Sequence, residues 1–163
     1  MTDRNFLGIP VEGDYTAGST RTEQKPIEEF QPILQAVLDD PSVIEFGWRQ
    51  YTPYFNDGEP CEFSGYGTWV RTAKDAEVDD EYDLEVDSHV SLGKRPYRQD
   101  PETGKYGFLP YEGPDEARHD RCKALASAIE GGHFETVLLD AFGDHAAITV
   151  RRNGIQVDFY EHD

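Results

Sequence analysis

Residues 43–71 read VIEFGWRQYTPYFNDGEPCEFSGYGTWVR, two β-rich runs separated by a turn, and this pattern decides the fold class. In the first run Ile44, Phe46 and Trp48 alternate with Glu45 and Arg49, the period of a half-buried strand from Val43 to Thr52. The second run, Cys61 to Arg71, is rich in aromatics (Phe63, Tyr66, Trp69), and its Gly65 and Gly67 predict a bulge or a close backbone approach. Between the runs, Pro53 and Pro60 stiffen a loop in which Asn56-Asp57-Gly58 supplies positive φ and Tyr54 and Phe55 clasp the hairpin base. Together they make a long antiparallel hairpin.

The segment that follows has the same period and far more charge. All seven odd positions from 75 to 87 are acidic (Asp75, Glu77, Asp79, Glu81, Asp83, Glu85, Asp87), and Asp80 adds an eighth carboxylate. The other even positions, Ala76, Val78, Tyr82, Leu84 and Val86, are apolar. An extended chain would lay the carboxylates on one face and bury the other, so the spacing predicts a third strand, continued through His89, Val90 and Leu92 and antiparallel to the second. Its wet side would be an anionic rail.

Residues 1–25 hold Gly8, Pro10, Gly13 and Gly18 without an apolar period and read as an extended arm. From position 26 to 163 the chain reads as one domain. Phe30, Ile33, Leu34, Val37 and Leu38 line one helical face, predicting a helix from about Glu28 to Asp39 with Pro32 in or before its first turn. Residues 93–113, with a small basic cluster at Lys94, Arg95 and Arg98, read as a long loop. Pro114-Asp115-Glu116 opens a second helix carrying Cys122, Leu125, Ala126 and Ile129, and Gly131-Gly132 stops it. Phe134, Val137, Leu138, Ala141 and Phe142 line a third, closed by Gly143. Ala147–Val150 and Ile155–Tyr160 flank Asn153-Gly154, the preferred dipeptide of a type I′ hairpin. Strand runs followed by helices and a last hairpin argue an α+β fold, an antiparallel sheet with helices packed on one face.

The chain has 163 residues, 33 acidic against 15 basic, for a net charge of −18. That charge repels nucleic acid, bulk phosphorylated metabolites and anionic lipid, and attracts a cationic partner. No apolar run approaches the roughly 20 residues of a membrane span, and the N-terminus lacks a basic-then-apolar signal pattern, so the expected location is cytoplasmic. Cys61 and Cys122 have no second Cys or His at ligand spacing, so neither zinc nor a disulfide framework is indicated.

Carboxylates two apart on a strand are about 6.7 Å apart along the backbone, too far to converge on a calcium ion without bending, and no EF-hand spacing is present. Duplex DNA carries a charge every 1.7 Å or so, about fourfold denser than the rail, so mimicry of nucleic acid would need Glu102, Glu112, Asp115, Glu116 and the acids of the first helix on the same face. A solvated edge strand guarded by charge is the plainer reading. Among His89, His119, His133, His145 and His162, His119 stands three residues before Cys122, the spacing of a base and nucleophile on a helix, yet Cys122 is on the buried stripe. Asp144-His145 and His162-Asp163 are loose acid–histidine pairs. No phosphate loop, dinucleotide fingerprint, metalloprotease helix or nucleophile elbow occurs, and no cofactor is expected. The aromatics Trp48, Tyr51, Tyr54, Phe55, Phe63, Tyr66 and Trp69 sit amid charge of the wrong sign for strand binding, which favours core packing plus a tyrosine patch for protein contact.

The run Trp48-Arg49-Gln50-Tyr51-Thr52-Pro53-Tyr54-Phe55-Asn56-Asp57-Gly58-Glu59-Pro60-Cys61 resembles a signature of uncharacterised bacteriophage and bacterial proteins, Trp-x-Gln-Tyr-Thr-Pro-Tyr-Phe-Asn-Asp-Gly-acid-Pro-Cys. Phe142-Gly143-Asp144-His145 and Tyr160-Glu161-His162-Asp163 are similar to elements of small actinobacterial phage proteins. The resemblance implies a phage-related origin in a bacterial host and assigns no catalytic residue. The expectation is therefore an acidic interaction protein. It would bind a protein with a basic surface, such as a host or defence factor, through Glu77, Asp79, Glu81, Asp83, Glu85 and Asp87 on a sheet face and through Tyr51, Tyr54, Phe55, Asp57 and Glu59 on the hairpin loop. The rival expectation is a small hydrolase or nucleotide-handling enzyme using Asp57, Glu59 and a histidine.

Overall fold

The computed structural model describes residues 4–12, 22–54, 58 and 61–162. Its elements are β1 (Arg4–Phe6), β2 (Ile9–Val11), α1 (Ile27–Leu38), β3 (Val43–Tyr51), β4 (Ser64–Thr72), β5 (Tyr97–Gln99), β6 (Tyr106–Phe108), α2 (Glu116–Glu130), α3 (Glu135–Phe142), β7 (Ala146–Arg151) and β8 (Gly154–Phe159). The fold is α+β and all its strand pairs are antiparallel. β4-β3-β7-β8 form the main sheet, and β1-β2 and β5-β6 form separate ribbons. Among the described residues no helix is long and apolar enough to cross a membrane.

One face of the main sheet carries Phe46, Trp48, Val70, Ile148 and Val150, and these cluster with Phe30 and Val37 of α1, Leu125 and Ile129 of α2 and Leu138 of α3. The helices therefore cover one face, as apolar stripes at helical spacing require. α2 starts where its sequence signals put it, with the Asp115 side chain accepting from the Arg118 N–H, and α3 stops at Gly143, φ 85°. Pro32 lies inside α1, not at its start.

The rail is not a strand. Between Ala73 and Ser88 the chain forms three short 3₁₀ turns, Ala73–Asp75, Glu81–Leu84 and Val86–Ser88, joined to β4 by one isolated bridge, Trp69 to Glu85. Local hydrogen bonding wins over the ladder. Thr72 and Asp75 form a reciprocal capping box, and the Asp80 side chain accepts from the Tyr82 N–H. The odd positions consequently point in mixed directions: Asp75 is 5% exposed, and the Glu85 carboxylate is half-buried against Arg49. Leu84 and Val86 are buried as the alternation requires, but Tyr82 is exposed. The expected acidic sheet face does not exist. The segment is instead a cover laid over β4 and the outer face of the sheet, with Glu77, Asp79, Glu81 and Asp83 exposed and Asp87 paired with Lys123 at 2.5 Å.

Other departures are smaller. The arm contains a ribbon, β1-β2, turned at Leu7-Gly8, both with positive φ, and residues 22–25 dock on the α2–α3 corner through Lys25 N–H to His133 O, 2.8 Å, and Gln24 Nε2 to Gly132 O, 2.7 Å. The 93–113 loop contains the β5-β6 ribbon, whose Tyr97, Tyr106 and Phe108 are exposed. The last hairpin forms, but neither Arg152 nor Asn153 has positive φ, so its turn is not type I′; Gly154, at φ 153°, carries the unusual conformation instead. A shift of register between Val43 and Glu45 puts Val43 in the core and leaves Ile44 exposed.

Candidate functional site

Three separate stretches of sequence, around Trp48–Tyr54, Phe142–His145 and Tyr160–His162, converge at one end of the sheet. Trp48 and Gln50 face the helices on β3, where Trp48 Nε1 donates to Gln50 Oε1 at 2.9 Å. Gln50 Nε2 donates to the carbonyls of Leu138, 2.9 Å, and Gly143, 2.7 Å. A buried amide thus satisfies the open C-terminal end of α3, which fixes the next residues, Asp144 and His145, against the end of β3. Asp144 closes the corner: Oδ1 accepts from the Thr52 N–H and from the His145 N–H, both 2.8 Å, and Oδ2 accepts from Thr52 Oγ1, 2.7 Å. Partial burial pushes the Asp144 carboxyl up, but the bonds from Thr52 and His145 outweigh it and hold the group below the usual carboxylate range. His145 is held at φ 56°, the left-handed region that a histidine seldom occupies.

On the outer face the rings stack. Tyr51 lies 4.4 Å from Tyr66 and 4.0 Å from His162, centroid to centroid. Tyr54 lies 4.4 Å from His162 and 5.2 Å from His145, nearly parallel to the first at 9°. His145 Nδ1 and His162 Nε2 are 2.7 Å apart, so one donates and the other accepts a single proton between them. Tyr160 completes the wall against Tyr51 at 5.4 Å and shares a 3.3 Å hydrogen bond with Tyr82 of the acidic cover. That bond, reinforced by burial, pushes the Tyr160 hydroxyl up to about 12, so it stays a neutral phenol. Below these rings Arg49 is 5% exposed. Its guanidinium lies 4.2 Å from the Tyr82 ring centre and donates to Glu85 at 2.5 Å. Gly67, φ 59°, is required here because a Cβ at that position would strike the Arg49 guanidinium.

Of the expected site residues, Tyr51 and Tyr54 are in this cluster, and Phe55, Asp57 and Glu59 lie outside the described residues. The structure adds Tyr66, Tyr160, His145, His162 and Asp144. The two acid–histidine dipeptides were visible in the sequence, but nothing in a linear chain says that positions 145 and 162 meet. Glu85 leaves the expected binding set to neutralise Arg49. Glu116 pairs with Arg95 and Glu112 stands 3.9 Å from Arg98. Cys122 is on the buried stripe, as its spacing required: it and His119 are both buried, burial pushes the thiol up to about 12, and His119 Nδ1 faces Asp120.

A second constellation, Asp75, His89 and Ser91, has the residue types of a catalytic triad and the wiring of a structural one. Ser91 Oγ donates to Asp75 Oδ1 at 2.7 Å, away from the imidazole. His89 Nδ1 accepts from the Ser91 N–H, which leaves Nε2 to donate to Val70 O, 2.7 Å, beside Asp75 Oδ2 at 3.2 Å. The serine therefore has no base. Among the described residues no group of three or more His, Cys, Asp or Glu side chains is placed to hold a metal ion. No family model, curated protein or solved structure matches the chain.

Proposed function

We propose that the protein is a phage-related interaction protein, working in the cytoplasm of a bacterial host, that binds a protein partner bearing exposed Arg or Lys side chains. The observation that carries this reading is the continuity of the stacked patch with the acidic cover. Tyr54, 62% exposed, and the rings of Tyr51, Tyr160 and His162 adjoin Tyr82, which belongs to the turn bearing Glu81 and Asp83. Aromatic faces rimmed by carboxylates suit a guanidinium or ammonium, through the ring quadrupole and through charge. The chain binds its own Arg49 in this manner, between Tyr82 and Glu85. The net charge of −18 steers a basic partner toward the patch.

The test is capture from host lysate followed by titration of the captured partner. Capture is expected to fall as salt rises from about 50 to 500 mM, over which the screening length shortens severalfold. Tyr54→Ala, and separately Ser at Glu77, Asp79, Glu81 and Asp83 together, are each expected to weaken the partner about tenfold, the scale of one interface aromatic or a few rim charges. Capture indifferent to both changes and to salt refutes the reading. The enzymatic alternative draws support from the 2.7 Å His145–His162 contact, which stacks on Tyr54. It requires the opposite result, turnover abolished by His145→Gln with capture intact.

A further inference from the structure

β8 is the last strand of the main sheet, paired with β7 on one side and with no strand on the other among the described residues. All six of its residues are exposed. Ile155, Val157 and Phe159 stand opposite Val150, Ile148 and Ala146 and so lie on the face that the helices cover elsewhere, yet they are 50%, 47% and 75% exposed. The usual guards of an edge strand are missing: β8 has no proline, and its register with β7 is unbroken from Ala146–Phe159 to Arg151–Gly154. Its one charge, Asp158, is on the opposite face and accepts from Gln156 Nε2 at 2.8 Å.

We propose that β8 pairs antiparallel with β8 of a second copy of this chain, about a two-fold axis at Val157, joining the two main sheets into one. The strand is complementary to itself in that register. Val157 meets Val157, Ile155 meets Phe159 of the second copy, and Gln156 meets Asp158, so apolar residues oppose apolar ones and polar residues oppose polar ones. The charges agree as well. The same register lays the Arg151-Arg152-Asn153 tip of each copy beside Glu161 of the other, a cationic turn against an anionic strand end. An axis at Asp158 would oppose two like charges, and one at Gln156 would set Phe159 against Asn153. The end of β8 runs into Tyr160 and His162, so the pairing places the arginine tip of one copy beside the aromatic patch of the other.

Cysteine cross-linking in a Cys61→Ser background tests the register. Opposed Cβ atoms in an antiparallel pair are about 4.5–5.5 Å apart, near enough for a disulfide after a small adjustment. Val157→Cys is expected to oxidise to a covalent dimer; Ile155→Cys alone is expected to form no covalent link, and a mixture of Ile155→Cys and Phe159→Cys proteins to give the cross-linked pair. By sedimentation at about 100 μM, where a micromolar interface is largely occupied, the native chain is expected to be dimeric and to associate more tightly as salt rises, because two chains of −18 repel. Val157→Lys should weaken association about tenfold or more with the circular dichroism unchanged. A monomer at that concentration, as expected if the edge instead receives a strand of another protein, overturns the proposal, as does equal cross-linking by Ile155→Cys and Val157→Cys.

Discussion

Asp75→Asn is expected to remove about 4 kcal/mol of stability at pH 7, the scale for orphaning a buried, multiply bonded carboxylate. Every neighbour of the group donates. Oδ2 accepts from the Thr72 N–H, 2.8 Å, and Thr72 Oγ1, 2.7 Å, Oδ1 accepts from Ser91 Oγ, 2.7 Å, and His89 Nε2 stands 3.2 Å away. An amide of the same shape must aim its N–H₂ at one of these donors. Burial pushes the Asp75 carboxyl up, but the bonds from Ser91 and Thr72 outweigh it, and the net shift is downward. A depressed folded-state value means that the contribution is fully present above the unfolded value near 3.9 and is lost as pH falls through the lower folded value. Asp40, lowered against its burial by Ser42 and Arg121, and Asp144 act in the same sense. Urea midpoints at pH 7 and pH 3 measure both effects: the wild type should lose more between them than Asp75→Asn does. A loss below about 1 kcal/mol in the variant at pH 7 would show that the carboxylate is not the keystone of the cover.

Arg49→Ala is expected to cost about 3 kcal/mol, within the range for breaking a largely buried ion pair from one side. It leaves Glu85, whose side chain is 33% exposed, without its cation and takes away the support under Tyr82 and Tyr160. Arg49→Met retains the aliphatic stem and loses only the guanidinium, and should cost about half as much. Chemical denaturation checks the stability ranking. If the alanine and methionine variants were equally stable, packing of the stem would contribute nothing and the charge everything.

The hairpin at 43–71, all three helices and the last hairpin were legible because each is specified by signals a few residues apart: period-two alternation, apolar stripes, Asp115 before Glu116, Gly143 after Phe142. The acidic segment was misread for an equally local reason. Its alternation was real, and Leu84 and Val86 are buried as it requires, but period cannot register that Thr72, Asp75 and Asp80 bond their own backbone neighbours, and those bonds curl the chain into 3₁₀ turns. Two members of the ring cluster, Tyr51 and Tyr54, were named from the loop chemistry. The rest was not, because His145 and His162 reach Tyr54 only through the pairing of β3 with β7 and β7 with β8.

By itself the sequence determined the fold class, the positions of the helices and the −18 surface, since propensity, patterning and net charge are sums over local residues and require no contacts. Tertiary structure alone decided which carboxylates remain in solvent, because Asp75 and Glu85 are taken up by His89, Ser91 and Arg49, partners 14, 16 and 36 positions away. It also decided that three separate stretches of sequence meet at one end of the sheet. Long-range pairing creates that proximity, and its energy is gained only when the sheet closes.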